Sequence, residues 1–125
     1  KRNSGWPKVN GPCDENGETT FCTANNVKEP IWSSGNNTIA VCGMDYYNSS
    51  LVPGWQNSLL MCTLKDASLR VLTLSSDGLS VVKQQTVLKN RFGRIRDICI
   101  SPAGKVYLCT SNGGDRDVLV EISKL

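Results

Sequence analysis

Histidine is absent from all 125 residues. Within this chain that excludes a Ser-His-Asp or Cys-His nucleophilic site, a histidine metal site and a histidine general base, each of which needs an imidazole. No apolar run approaches the ~20 residues of a membrane-spanning helix, so no membrane span is expected. No C-x-x-C pair occurs, which removes the spacing of a structural zinc site. Charge of one sign is not concentrated anywhere. Lys and Arg are scattered, the net charge is +3 and the pI is near 8.6, so no nucleic-acid footprint is expected. Convincing helical periodicity is missing as well. The first residues, Lys1-Arg2-Asn3-Ser4, do not read as a signal peptide, and the absence of an initiator Met leads us to expect a processed, mature chain.

What is present fits one folded domain, with 39% hydrophobic and 20% charged residues. Six cysteines, Cys13, Cys22, Cys42, Cys62, Cys99 and Cys109, make disulfides the expected chemistry, although their spacing does not assign the pairs. Asn36-Asn37-Thr38 and Asn48-Ser49-Ser50 are both N-glycosylation acceptors. Cysteines and acceptors together predict a secreted, disulfide-bonded glycoprotein.

The most informative stretch is Phe92–Thr110, two alternating apolar/polar runs joined by Pro102-Ala103-Gly104, which predicts a β-hairpin with one buried face. Alternation along a strand would place Arg94 and Arg96 on the same side as a paired cationic fork. Guanidinium groups grip carboxylates bidentately, so such a fork suits a planar polyanion. Upstream, residues 1–37 are irregular, with an Asn16-Gly17 turn and a short strand expected at Thr19–Thr23. Strands are then predicted over Thr38–Tyr46, Ser58–Leu64, Ser68–Leu74 and Leu79–Leu88, followed by Arg94–Ser101, Lys105–Thr110 and Asp117–Ile122.

The second group echoes the first. Leu60-Met61-Cys62-Thr63 matches Tyr107-Leu108-Cys109-Thr110, and the matched cysteines stand 47 residues apart. Four-stranded units repeating every ~40–50 residues are the mark of a β-propeller. A single β-sandwich of seven short strands is the alternative. The four-plus-three grouping favours the propeller, because a closed propeller commonly completes its last blade with a strand from the far end of the chain. The expected fold is therefore all-β: residues 38–91 form a four-stranded blade and 92–125 an incomplete last one. A propeller has ~4–8 blades, and two alone would leave large apolar faces wet. The others must come from another polypeptide chain or from a missing N-terminal part.

Four segments carry a family resemblance: Gly5-Trp6-Pro7-Lys8-Val9-Asn10-Gly11, Ile39–Tyr47, Pro53-Gly54-Trp55 through Lys65, and Gly93–Thr110. In this order the chain resembles the last third of the soluble quinoprotein glucose/sorbosone dehydrogenases, six-bladed propellers that oxidise sugars with pyrroloquinoline quinone (PQQ) and calcium. Hedgehog-interacting-protein-like propellers share the scaffold. The resemblance implies that Lys65, Arg94 and Arg96 hold the carboxylates and quinone oxygens of PQQ, with Thr38 beside them. The competing reading makes these cations rim charges paired with Asp66 and Asp97. The loop after Trp6-Pro7 is similar to a structural calcium loop, which implies the carbonyls of Asn10 and Pro12 and the side chain of Asp14 as ligands, with Glu29 as the further carboxylate. Its alternative is an ordinary acidic turn.

Two positions depart from the family pattern. Asn36 stands where a cofactor-stacking Trp is common, leaving Trp32 to replace that ring if the loop is rearranged, and Ser111 stands where Asp is frequent. The resemblance further implies that the histidine base and the ligands of the catalytic calcium lie in earlier blades, so this chain cannot catalyse alone. Two functions stay open: the C-terminal portion of a secreted PQQ-dependent sugar dehydrogenase, or a secreted binding propeller that has lost its cofactor. Carbohydrate stacking on Trp6, Trp32 or Trp55 is a third, lesser reading.

Overall fold

The computed structural model describes residues 2–123 and divides the chain into two compact units, Lys1–Asn37 and Thr38–Leu125. In the first unit the expected strand at Thr19–Thr23 is replaced by helix α1, Asn16–Asn25. The threonines that favour a strand by propensity satisfy themselves locally: the hydroxyls of Thr19 and Thr23 donate to the carbonyls of Glu15 and Thr19, four residues back. Asn26 ends the helix in the left-handed conformation, and its N–H returns to the Cys22 carbonyl. Only Cys22 of this helix is buried. That is why no apolar stripe announced it, and a disulfide to Cys13 anchors it instead.

The second unit is built of strands: β1 (Val41–Tyr47), β2 (Ser58–Thr63), β3 (Ser68–Leu74), β4 (Val81–Val87), β5 (Ile95–Ile100), β6 (Val106–Thr110) and β7 (Leu119–Ile122). They form a four-stranded antiparallel sheet in the order β1-β2-β3-β4 and a three-stranded one in the order β5-β6-β7. Every strand pairs with its sequence neighbour. Propeller blades are connected in this way, whereas an immunoglobulin-type sandwich needs Greek-key crossovers. Strand ends retreat where side chains offer a better bond. The expected start of β4 becomes a turn in which Asp77 accepts the Leu79 N–H and the Ser75 hydroxyl.

Alternation sets the core. Leu60 and Cys62 of β2 face Val71 and Leu69 of β3 across the ladder. Their shared face packs in one cluster with Tyr47, Val52, Trp55, Ile95, Val106, Leu108 and Ile122. Full burial of each such aliphatic side chain contributes about 1.5–3 kcal/mol. Two features hold the sheets in register. The fully buried Tyr47 lies edge-on to Trp55, its hydroxyl donates to the Gly104 carbonyl in the β5–β6 turn at 2.8 Å, and that hydroxyl accepts the Val52 N–H. The second is Gly43. It sits in an irregularity of the β1–β2 register, between Val41 and Met44, and a β-carbon there would come within 2.7 Å of the Asp97 Cα and 3.1 Å of the Ile98 nitrogen.

Two stability outcomes follow from these contacts. Gly43→Ala should destabilise the protein by about 1–3 kcal/mol in urea unfolding, because the added methyl meets backbone that cannot rotate away. Tyr47→Phe should cost about 1–3 kcal/mol by leaving the Val52 N–H and the Gly104 carbonyl without their partner. An unchanged urea midpoint for either variant would remove it from the seam between the sheets.

Candidate functional site

At the seam between the two sheets lies an open cavity of about 450 Å³, lined by Ala40, Leu64, Lys65, Ala67, Gly93 and Arg94. The first sheet brings Lys65 on the β2–β3 turn. That turn is fastened from outside its own hairpin: the Ala40 carbonyl accepts the Leu64 N–H, and the Ile39 carbonyl accepts the N–H groups of Lys65 and Asp66. Ala40 and Ala67 both adopt left-handed backbone angles, φ 53° and 46°, a conformation uncommon for residues with a β-carbon and enriched at ligand sites. With Gly93 they give the cavity three lining residues that carry a methyl group or no side chain.

The second sheet brings Arg94, the residue before β5. Its N–H donates to the Asn112 carboxamide oxygen at 2.9 Å, and its carbonyl accepts the Ser111 N–H. Arg96 is not among the residues lining the cavity. The expected fork fails because β5 is not regular there: Ile95 pairs with Thr110 and Asp97 with the adjacent Cys109, so Arg96 is the extra residue of a bulge. Arg96 is exposed, and its charge reaches the Cys42 thiol. Burial raises the pKa of that thiol, and Arg96 is among the influences that lower it. Thr38 is exposed and lies outside the cavity lining.

The anions near these cations are otherwise engaged. Asp66, next to Lys65, accepts from the Lys89 ammonium, from the Ser68 hydroxyl at 2.6 Å and from the Arg70 guanidinium at 2.8 Å. Led by Lys89, these donors hold its pKa down at about 2. Asp97 accepts the Ile98 N–H. Among the described residues, neither Lys65 nor Arg94 has a side-chain ion pair or hydrogen bond, so the expected pairing with Asp66 and Asp97 is not the arrangement found. Two unopposed cations, one a compact ammonium and one a planar fork, thus face one cavity. Such a pair recognises an anion with separated carboxylate or carbonyl oxygens.

The loop proposed for calcium is differently occupied. Asp14 is exposed, Glu18 accepts the Asn10 N–H at 3.2 Å, and Glu29 accepts the Cys13 N–H at 3.3 Å. Glu29 does reach the loop, but as a partner for backbone. Among the described residues no three His, Cys, Asp or Glu side chains converge as a metal would need, so a calcium ion held here would depend on the Asn10 and Pro12 carbonyls beside Asp14. The remaining cysteines, Cys42, Cys62, Cys99 and Cys109, are thiols. Cys62 is fully enclosed by the core, and its pKa is pushed up to about 12, chiefly by burial.

The sequence contained no signal for Ala40 or Ala67, since alanine carries no turn preference. Nothing in the sequence indicated that the Asn112 side chain reaches back to Arg94.

Several known proteins resemble this chain. The family model described as glucose/sorbosone dehydrogenase matches residues 1–120. The aldose sugar dehydrogenase YliI of Escherichia coli K12 is 39% identical over 71 residues, which are 57% of this chain and 19% of that protein. The PQQ-bound aldose sugar dehydrogenase of Streptomyces coelicolor superposes with a TM-score of 0.64 at 25% identity, covering 96% of this chain and 33% of the other. The apo form of the soluble aldose sugar dehydrogenase of Escherichia coli gives 0.64 at 29% identity, over 79% of this chain and 27% of the other. The chain thus spans between about a fifth and a third of the length of these relatives.

Because the Asp66 pKa is depressed in the fold, its contribution to stability is complete above its ordinary value of 3.8 and is lost as pH falls through about 2. Unfolding midpoints measured from pH 7 to pH 2 should therefore drop between about pH 4 and 2. An Asp66→Asn variant should be less stable at pH 7 and flatter across that window. Parallel profiles for the two proteins would show that the carboxylate is not a hub.

Proposed function

The chain belongs to the glucose/sorbosone dehydrogenase family, and we propose that it is the C-terminal portion of a secreted PQQ-dependent sugar dehydrogenase in which Lys65 and Arg94 clamp the anionic oxygens of the cofactor. The observation that carries this reading is the pair of cations on one cavity that have no counterion among the described residues. Lys65 offers a compact charge with three donors, and Arg94 a planar fork that can take one carboxylate with two parallel bonds. The small lining residues Ala40, Ala67 and Gly93 leave space beside those charges for a flat ring system. When bound, PQQ supplies the two-electron acceptor for oxidation of the sugar.

In this reading the residues of this chain bind and orient; they do not move the substrate proton. Without histidine, the chain leaves the general base to the remainder of the propeller, on this or a partner polypeptide. Arg96 and Thr38, outside the cavity lining, are assigned no contact to the cofactor. Secretion is supported by the Cys13–Cys22 disulfide and by the exposure of Asn36 and Asn48, both in acceptor sequences.

The test is titration of the protein, isolated in its native assembly, with PQQ while the quinone absorption is followed, and then addition of sugar and Ca²⁺. Wild type should take up the quinone, and sugar should bleach it. Lys65→Ala and Arg94→Ala should each weaken uptake by about 10- to 100-fold, the scale of a charged hydrogen bond of about 1.5–3 kcal/mol. A wild-type assembly that stays colourless and takes up no PQQ would overturn this reading in favour of the cofactor-free binding propeller.

A further inference from the structure

We infer that Asn112 is a positioning residue, the clamp that fixes the Phe92–Arg94 segment so that Arg94 faces the cavity. The inference rests on the proposed role of Arg94 and extends it to a residue that does not line the site. The Asn112 carboxamide lies across the segment and uses both of its ends. Its nitrogen donates to the Phe92 carbonyl at 2.9 Å, and its oxygen accepts the Arg94 N–H at 2.9 Å. Only a side chain with a donor and an acceptor in one plane can serve both groups, as a neighbouring strand would. Ser111 completes the pairing by donating its N–H to the Arg94 carbonyl. Both backbone groups of Arg94 are therefore held by consecutive residues of the β6–β7 loop.

Gly93 explains how the carboxamide comes so close. The residue has φ 74°, and a β-carbon there would overlap Oδ1 of Asn112 and lie 2.9 Å from its Cγ. The clamp is itself anchored: the Asp117 carboxylate accepts the N–H groups of Asn112 and Gly113 and the Thr110 hydroxyl. The chain of support runs from Asp117 through Asn112 to Arg94. A backbone pinned at both ends matters here because Arg94 is exposed and, among the described residues, no side-chain partner restrains its guanidinium. The direction in which its Cα–Cβ bond leaves the chain decides how often the group faces the cavity.

A double-mutant cycle on PQQ affinity tests the assignment, again on the protein in its native assembly. Asn112→Ala should weaken PQQ binding about fivefold to tenfold, the scale of one or two hydrogen bonds, but should have no further effect in an Arg94→Ala background. Hydrogen exchange at the Arg94 amide should accelerate in the same variant. Should Asn112→Ala not fold, Asn112→Ser, which keeps an acceptor but cannot span both groups, carries the same cycle. A loss of affinity that adds in full to that of Arg94→Ala, or a loss of thermal stability with unchanged affinity, would make Asn112 a merely structural residue and overturn the inference. If Arg94→Ala itself leaves PQQ binding unchanged, the cofactor reading fails. In that case only the hydrogen-exchange result would still report on the clamp, and an unchanged exchange rate would remove it too.

Discussion

The close approach of β1 to β5 at Gly43 is the constraint on which the rest of the second unit depends. There is no room for a methyl group between the glycine and the Asp97 backbone, so the spacing of the two sheets is set by contact between main chains. Side chains then complete the seam: Leu60, Cys62, Leu69 and Val71 meet Ile95, Val106 and Leu108 in one cluster. The Tyr47 hydroxyl ties β1 to the turn at Gly104. Two consecutive meanders held in this way are two blades of a β-propeller, and the family membership of the chain agrees with that architecture.

A cavity at such a seam inherits one wall from each blade. Lys65 comes from a turn of the first and Arg94 from the entry to the second. Neither blade alone would bring the two cations together. The charges are also sorted. Asp66 is paired with Lys89, Ser68 and Arg70, and Asp97 accepts the N–H of its neighbour. Neither carboxylate lines the cavity, whose charged lining residues are Lys65 and Arg94. An unopposed pair of cations loses little by remaining in water, and it gains most from a ligand that brings its own negative charge and excludes solvent.

The strands were legible because half-buried strands must alternate. Ser68–Leu74 was read to the residue, and the other strands to within a few residues of their ends. The hairpin turn at Pro102-Ala103-Gly104 was legible from Gly and Pro. Helix α1 was not, since it buries only Cys22 and is held by a disulfide and by threonine hydroxyls, none of which leaves an apolar period. The Arg94–Arg96 fork was misread for a different reason. Alternation presumes an unbroken ladder, and a bulge between Ile95 and Asp97 takes Arg96 out of step.

By itself, the sequence determined the all-β character, the grouping of strands into four and three, the absence of a histidine base and the identity of the candidate cations. Each of these is a matter of composition or of a period along the chain. Only the tertiary structure decided which cations share a cavity, which anions are spent elsewhere, that the loop acids bind backbone, and that the Asn112 side chain reaches back eighteen residues to hold Arg94. Those outcomes depend on side chains brought together from positions apart in sequence. The cavity and the clamp in particular follow from close main-chain packing at Gly43 and Gly93, which no local pattern of residues encodes.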